Sequence, residues 1–305
     1  MKLLHEYAID PDIIKDWRSL RDLSDKVGVP KGRIIARMPK TWFRDIYDRF
    51  ATNTVADAKF EYALRRLERA VLPTGRPAKL QNRTWLEVAL NEHQQRPFRA
   101  IISDTDLDEQ GLVKPDDLSE DHPNWKTSRE LPMRRDSERW VDATELLLSA
   151  CSELILIDPH FKPDAPRYQR SLKALCLAAT RNNPRCPRIG YNVEKDAGRT
   201  EQEFESKCRA ELPDWISEGV KVEFVIWSCR IGGQDFHARY LLTNHGGIRF
   251  EQGLDENRNA TTDTDVSLLD DGLYQRRKID FTHGHPGCAF TKLHSFEIVG
   301  RRRVA

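Results

Sequence analysis

From Asp136 onward the chain alternates apolar runs of strand length with amphipathic stretches of helix length, and that alternation restricts it to a few folds. Thr144 to Ala150 reads as the end of a helix. Leu154 to Ile157 reads as a buried strand running into the loop Asp158-Pro159-His160-Phe161. Tyr168 to Thr180 follows as an amphipathic helix, Arg188 to Glu194 as a strand, Glu201 to Gly219 as a helix, and Val220 to Trp227 as a strongly apolar strand. Two further strands, Phe236 to Asn244 and Gly247 to Leu254, flank the turn Asn244-His245-Gly246-Gly247. Strands separated by helices of this length imply βαβ units, hence an α/β fold with a mostly parallel sheet flanked by helices.

The segment before Asp136 reads differently. Residues 1–78 are expected to be helical. Ile13, Ile14, Trp17, Leu20, Leu23 and Val27 recur near the helical period behind a capping Asp10-Pro11. Phe60, Ala63, Leu64, Leu67 and Val71 form a second stripe, ended by Pro73, Gly75 and Pro77. Residues 79–135 read as a connecting segment with a short helix from Trp85, a strand from Phe98 to Ser103, and an acidic loop. That loop holds Asp104, Asp106, Asp108, Glu109, Asp116, Asp117, Glu120 and Asp121, which suits a solvated face; no EF-hand spacing is present.

Length and composition bound the rest. At about 150 residues per domain, 305 residues suggest two structural units. Seven Trp and twelve Phe are too many for a disordered chain. The longest apolar stretch, Leu146 to Ile157, is interrupted by Ser, Cys and Glu and is too short to span a bilayer. The opening Met1-Lys-Leu-Leu-His-Glu lacks a signal-peptide core, so a soluble cytoplasmic protein is expected. Six cysteines without a CxxC spacing read as buried thiols. His283, His285 and Cys288, with His294, have zinc-ligand chemistry but match no standard finger; no metal and no cofactor are assigned.

Two segments carry candidate binding chemistry. Asp22 to Arg37 resembles a helix-turn-helix, with Leu23 and Val27 inward, a turn at Gly28 and a second helix from Pro30. Lys31, Arg33 and Arg37 would then face DNA, within a stretch from Lys15 to Arg49 holding ten basic residues against five acidic ones. A helical hairpin used for packing is the alternative. In the other segment, His237 and Arg239 stand two apart on a strand and share one face. An imidazole beside a guanidinium suits phosphate, as nucleophile or acid beside a bidentate clamp. A surface strand with polar outward residues is the alternative there.

His237-x-Arg239-x4-Asn244, with Gly246, Gly247 and Gly253 beyond it, resembles one copy of the HxK-x4-D motif of the phospholipase D superfamily. Arg239 replaces the family's Lys, Asn244 replaces its Asp, the glycine spacing differs, and there is one copy. Within the superfamily the chain is similar to the C-terminal domain of MIT (microtubule-interacting and trafficking) proteins. The matching positions are Asp158, Pro159, His237, Arg239, Gly253, Leu254 and Asp255, over residues 140–300. The resemblance implies a phospholipase-D-like mixed sheet over residues 136–305, with His237, Arg239 and Asn244 as its catalytic positions. Asp158 and His160, at a strand end, and Arg276 and Arg277, in a basic run with Lys278, would add phosphate contacts; Arg301 to Arg303 form a second run.

The resemblance also implies membership of a bacterial antiviral-defence or mobile-element system, with other proteins as partners. The expected function is binding of a nucleic-acid phosphodiester backbone. Metal-independent cleavage would need a homodimer, because one His–Arg half-site cannot supply both nucleophile and general acid. The alternative is a non-enzymatic assembly module docking on a partner protein or a phospholipid surface, which the near-neutral net charge of +1 suits.

Overall fold

A computed structural model describes residues 2–50, 55–76, 79–107, 109, 111–181, 188–229, 239–257, 263–282 and 290–302. It divides into two compact units, Leu3–Arg129 and Met1–Lys2 with Glu130–Ala305. Both are α/β.

The first unit corrects the expectation of a helical region followed by a connector. Its elements are β1 (His5–Ile9), α1 (Trp17–Lys26), β2 (Arg33–Ala36), α2 (Trp42–Phe50), α3 (Val55–Glu68), β3 (Val71–Leu72), α4 (Trp85–Gln95), β4 (Ala100–Ile102) and β5 (Leu112–Val113). The five strands form one parallel sheet in the order β3-β2-β1-β4-β5. The helical stripes are real within α1 and α3, although Ile13 and Ile14 precede α1, Asp16 rather than Asp10 caps it, and Val71 belongs to β3. Leu20 and Leu23 of α1, and Phe60, Ala63 and Leu67 of α3, all enter the core. The strand expected from Phe98 to Ser103 is β4, whereas the earlier strands escaped the periodicity because a parallel strand covered on both faces is short and apolar throughout, as in Ile34-Ile35-Ala36 and Val71-Leu72. Tyr7, Ile9 and Ile35 pack beneath α1, α2 and α3, while Ala8, Ala36 and Ile101 pack beneath α4.

The second unit follows the expected alternation with β6 (Glu130–Arg134), α5 (Ser137–Ala150), β7 (Glu153–Ile157), α6 (Pro166–Thr180), β8 (Arg188–Glu194), α7 (Glu201–Glu211) and β9 (Lys221–Cys229). It continues with β10 (Arg239–Thr243), β11 (Gly247–Phe250), β12 (Asp263–Leu268), α8 (Asp271–Thr282) and β13 (Phe290–Val299). The order is β13-β9-β8-β7-β10-β11-β12-β6. Only β7, β8 and β9 run parallel; β10 to β12, β6 and β13 join antiparallel, so the sheet is mixed and not mostly parallel. The β10–β11 hairpin turns where Asn244 to Gly247 predicted it. Helix α7 stops at Glu211 rather than Gly219: Leu212 is still helical in its backbone, but Pro213 has no N–H to continue the ladder.

Alternation fills both faces of this sheet. Tyr191 and Phe224 stack under Phe161, Tyr168 of α6 and Phe204 of α7. On the opposite face, Ile155, Ile157, Val225, Trp227, Tyr240 and Leu242 meet Tyr274 and Phe281 of α8. The parallel strands β7 and β8 are held at their carboxyl ends, where the Asp158 amide donates to Asn192 (3.0 Å) and the Trp227 indole donates to the Asn192 side chain (2.8 Å).

Candidate functional site

The Asp158-Pro159 and Gly253-Leu254-Asp255 segments, far apart in sequence, meet at the carboxyl end of β7. Asp158 is fully buried; one carboxylate oxygen accepts the His160 amide (3.0 Å) and the other the Leu254 amide (2.7 Å). Burial pushes its carboxyl above the ordinary range, while the two amides and the nearby Arg239 charge oppose that shift. Asp255 is also buried and binds the Arg135 guanidinium and Arg167 Nε (3.1 Å). Glu256 takes Ser137 (2.5 Å) and Arg170. A methyl group on Gly253 would overlap the Asp255 carboxylate and lie 3.3 Å from that of Asp158, so the turn has room for glycine alone. These motif residues therefore tie the starts of α5 and α6 to the end of β7. Asp158 is a fastening carboxylate at the rim and not a ligand group on it.

Arg239 opens β10 beside Asp158, since Tyr240 pairs with Ile157 in the antiparallel ladder. Asn244 lies past the other end of that five-residue strand, about 16 Å away at 3.3 Å per residue. There its side-chain oxygen accepts the amides of Ser152 (2.8 Å) and Glu153 (3.4 Å), and its amide nitrogen meets His245 (3.0 Å). Asn244 thus secures the start of β7 and does not share a pocket with Arg239. His237, the expected nucleophile, falls outside the described residues, as do His283, His285, Cys288 and Arg303.

The basic run of α8 divides. Arg276 is exposed, whereas Arg277 is buried against Asp280 (3.1 Å) and the Tyr240 hydroxyl (3.3 Å) and is part of the interior. Burial of a guanidinium with its own carboxylate removes it from a phosphate track. His294 pairs with Glu205 (2.6 Å).

A cavity of about 430 Å³ opens at the carboxyl ends of β7 and β8, beside Ile226 of β9 and the first turn of α7. Ligands of open α/β sheets lie outside the carboxyl ends of parallel strands. The wall includes His160, Lys162, Lys195 and Arg199 together with Glu194, Asp196 and Glu201. Its acids are engaged: Glu201 binds Lys195, Glu194 takes the Cys229 thiol (3.3 Å), and Asp196 accepts the Gly198 amide (3.0 Å). Among the described residues, no carboxylate stands within ion-pairing distance of Lys162 or Arg199. Sequence reading found His160. It missed Lys162 and Arg199, whose only signal is that each follows a strand that ends at this edge.

The residues expected on a recognition helix are elsewhere. Val29 to Lys31 make one 3-10 turn, and Arg33 begins β2. Arg33 is 3% exposed, stacks 4.5 Å over the Trp125 ring, donates to the carbonyls of Trp125 and Lys26 (3.0 Å each), and grips both oxygens of Glu120. Lys31 and Arg37 are exposed but stand on either side of that strand and not along one helix face. Glu120 is accordingly a partner and not merely a charge in a solvated loop.

Arg33→Ala is expected to lower the unfolding free energy by about 2–3 kcal/mol, through lost hydrogen bonds of a buried guanidinium. The Arg33 hydrogen bonds hold the Glu120 carboxyl below its ordinary range. A depressed carboxylate stabilises the fold above its unfolded pKa, and that contribution disappears as pH falls through the folded value. The gap between wild type and Arg33→Ala in urea melts should therefore narrow under acid conditions; an equal gap at every pH would rule out the ion pair as its source.

Among the described residues, no helix is long and apolar enough to cross a membrane. No family model matches the chain, and no curated protein matches it. Among solved structures, the polyphosphate kinase of Porphyromonas gingivalis aligns at TM-score 0.32 and 12% identity, over 52% of this chain and 26% of that one. The archaeal chromatin protein TrmBL2, described as showing a novel mode of DNA binding, aligns at TM-score 0.28 and 13% identity, over 54% of each chain. The chain spans about a quarter of the first neighbour's length and about half of the second's.

Proposed function

We propose that the second unit binds a phosphodiester-bearing polymer, a nucleic acid, in the crevice where β7, β8 and β9 end. The observation that carries this reading is the 430 Å³ cavity lined by Lys162 and Arg199, neither of which has a described carboxylate within ion-pairing distance. A guanidinium and an ammonium suit phosphate oxygens, by charge and by hydrogen-bond geometry. Arg239, at the neighbouring strand end, continues the basic edge. The likeness to the phospholipase D superfamily and to the MIT C-terminal domain, and the defence-system setting, belong to the same reading through Asp158, His237, Arg239, Gly253 and Asp255. The activity proposed is binding. Cleavage in this scheme requires His237 from two copies of the chain, one as nucleophile and one as acid.

The test is titration of the full chain with a fluorescent oligothymidylate over a range of salt. Lys162→Ala combined with Arg199→Ala should weaken binding and reduce the log–log salt slope by about 1.4, two single-strand phosphates at ~0.7 each. An unchanged affinity and slope would sink the reading. Capture by anionic phospholipid vesicles without oligonucleotide affinity would move it to a lipid surface.

A further inference from the structure

We infer that the first unit carries a separate docking surface for single-stranded nucleic acid, formed by the exposed sides of α1 and α3. The inference rests on the reading that the partner is nucleic acid, and it replaces the recognition helix expected at Lys31 to Arg37. Trp17, at the start of α1, is partly exposed, and three cations converge on its ring: Arg18 at 4.9 Å, Arg21 at 5.2 Å and Lys59 of α3 at 5.0 Å. Cations gathered this closely repel one another unless an anion joins them.

The acids nearby are already committed. Asp16 caps α1 and faces Arg18 (3.9 Å), which leaves Arg21 and Lys59, among the described residues, as the unpaired cations at the ring; Asp22 holds Lys26 (2.7 Å), Asp25 holds Arg66 (2.7 Å), and Glu61 faces Arg65 (3.8 Å). Among the described residues, no carboxylate lies within ion-pairing distance of Arg21 or Lys59.

An exposed aromatic ring stands beside these cations. Tyr62, 66% exposed, is the most exposed large hydrophobic side chain among the described residues. It lies three residues beyond Lys59 and four before Arg66, so the three share one stripe of α3. An exposed ring one turn from the unpaired Lys59 suits base stacking with phosphates held alongside, which is how single strands bind without sequence readout. A duplex hides its bases and would use the cations but not the ring.

The experiment compares the wild-type chain with Arg21→Glu/Lys59→Glu and, separately, with Tyr62→Ala, titrating the same labelled oligothymidylate and, in parallel, its duplex with oligodeoxyadenylate. All three side chains are at the surface, so unchanged thermal midpoints are expected and are checked first. The double charge reversal should lower affinity at least tenfold and reduce the salt slope by about 1.4 or more. Tyr62→Ala should cost about fivefold or more in affinity with the slope unchanged, as loss of one stacked base requires. Wild-type affinity and slope in the charge-reversed protein would overturn the inference. Loss of duplex affinity with no effect of Tyr62→Ala would overturn the single-strand assignment. Comparison with the Lys162/Arg199 variant separates the two sites: if only that variant loses binding, the α1–α3 surface is wrong and the crevice stands. If only the charge-reversed variant does, the crevice is wrong.

Discussion

Replacing Arg76 with Ala should lower the unfolding free energy by about 3–5 kcal/mol, the cost of leaving buried carboxylates without their cation. The Arg76 side chain is 2% exposed and forks onto both oxygens of Glu6, at 3.1 and 2.7 Å, whose own side chain is 7% exposed. It also donates to the Glu92 carbonyl (3.3 Å), lies 3.7 Å from the Glu92 carboxylate, and stacks 3.6 Å over the Phe98 ring. Arg96 reaches Glu6 from the surface at 3.4 Å but is half exposed and contributes less. The residue therefore joins the start of β1 to the end of α4 through the loop that follows β3. Urea denaturation should show a lower midpoint with an unchanged m-value. Arg76→Met, which keeps volume but not charge, should be destabilised nearly as much. If the Met variant were as stable as wild type, packing alone and not the ion pair would be the source.

Asp255→Ala should have the second-largest effect, about 3 kcal/mol, because it strands the largely buried Arg135 guanidinium and removes a partner of Arg167. Arg167 is half exposed and can turn to solvent, which keeps the loss below that of Arg76. Gly253→Ala should act in the same direction, since its methyl group would press on Asp255 and Asp158 together. Because Leu254 and His160 both hang on Asp158, either change should also weaken oligonucleotide binding at the crevice. Stability lost with binding intact would separate the knot from the crevice.

Arg76 and Asp255 look very different in the sequence. Asp158 and the Gly253-Leu254-Asp255 turn stood out as motifs, and they do meet in space. What the motif could not convey is that they are buried and face one another: a carboxylate that accepts two backbone amides organises a rim without touching what the rim binds. Arg76 gave no signal at all, lying between Pro73 and Pro77 in an apparent break.

Alternation of strand-length and helix-length runs after Asp136 determined the second unit's class, its β10–β11 turn and the stacking of its helices on a sheet, because local period and turn chemistry are properties of neighbouring residues. The same logic drew α1, α3 and α4 in the first unit. Which strands run parallel, and that Ile34-Ile35-Ala36 or Val71-Leu72 are strands at all, was decided by tertiary structure: a short apolar run has no period of its own until a sheet covers it. Charge was decided there too. Arg33 and Arg76 are interior because each finds a carboxylate across the fold, and Arg277 because Asp280, one turn away on α8, pairs with it, whereas around Arg21, Lys59, Lys162 and Arg199 the fold brings no described carboxylate to ion-pairing distance.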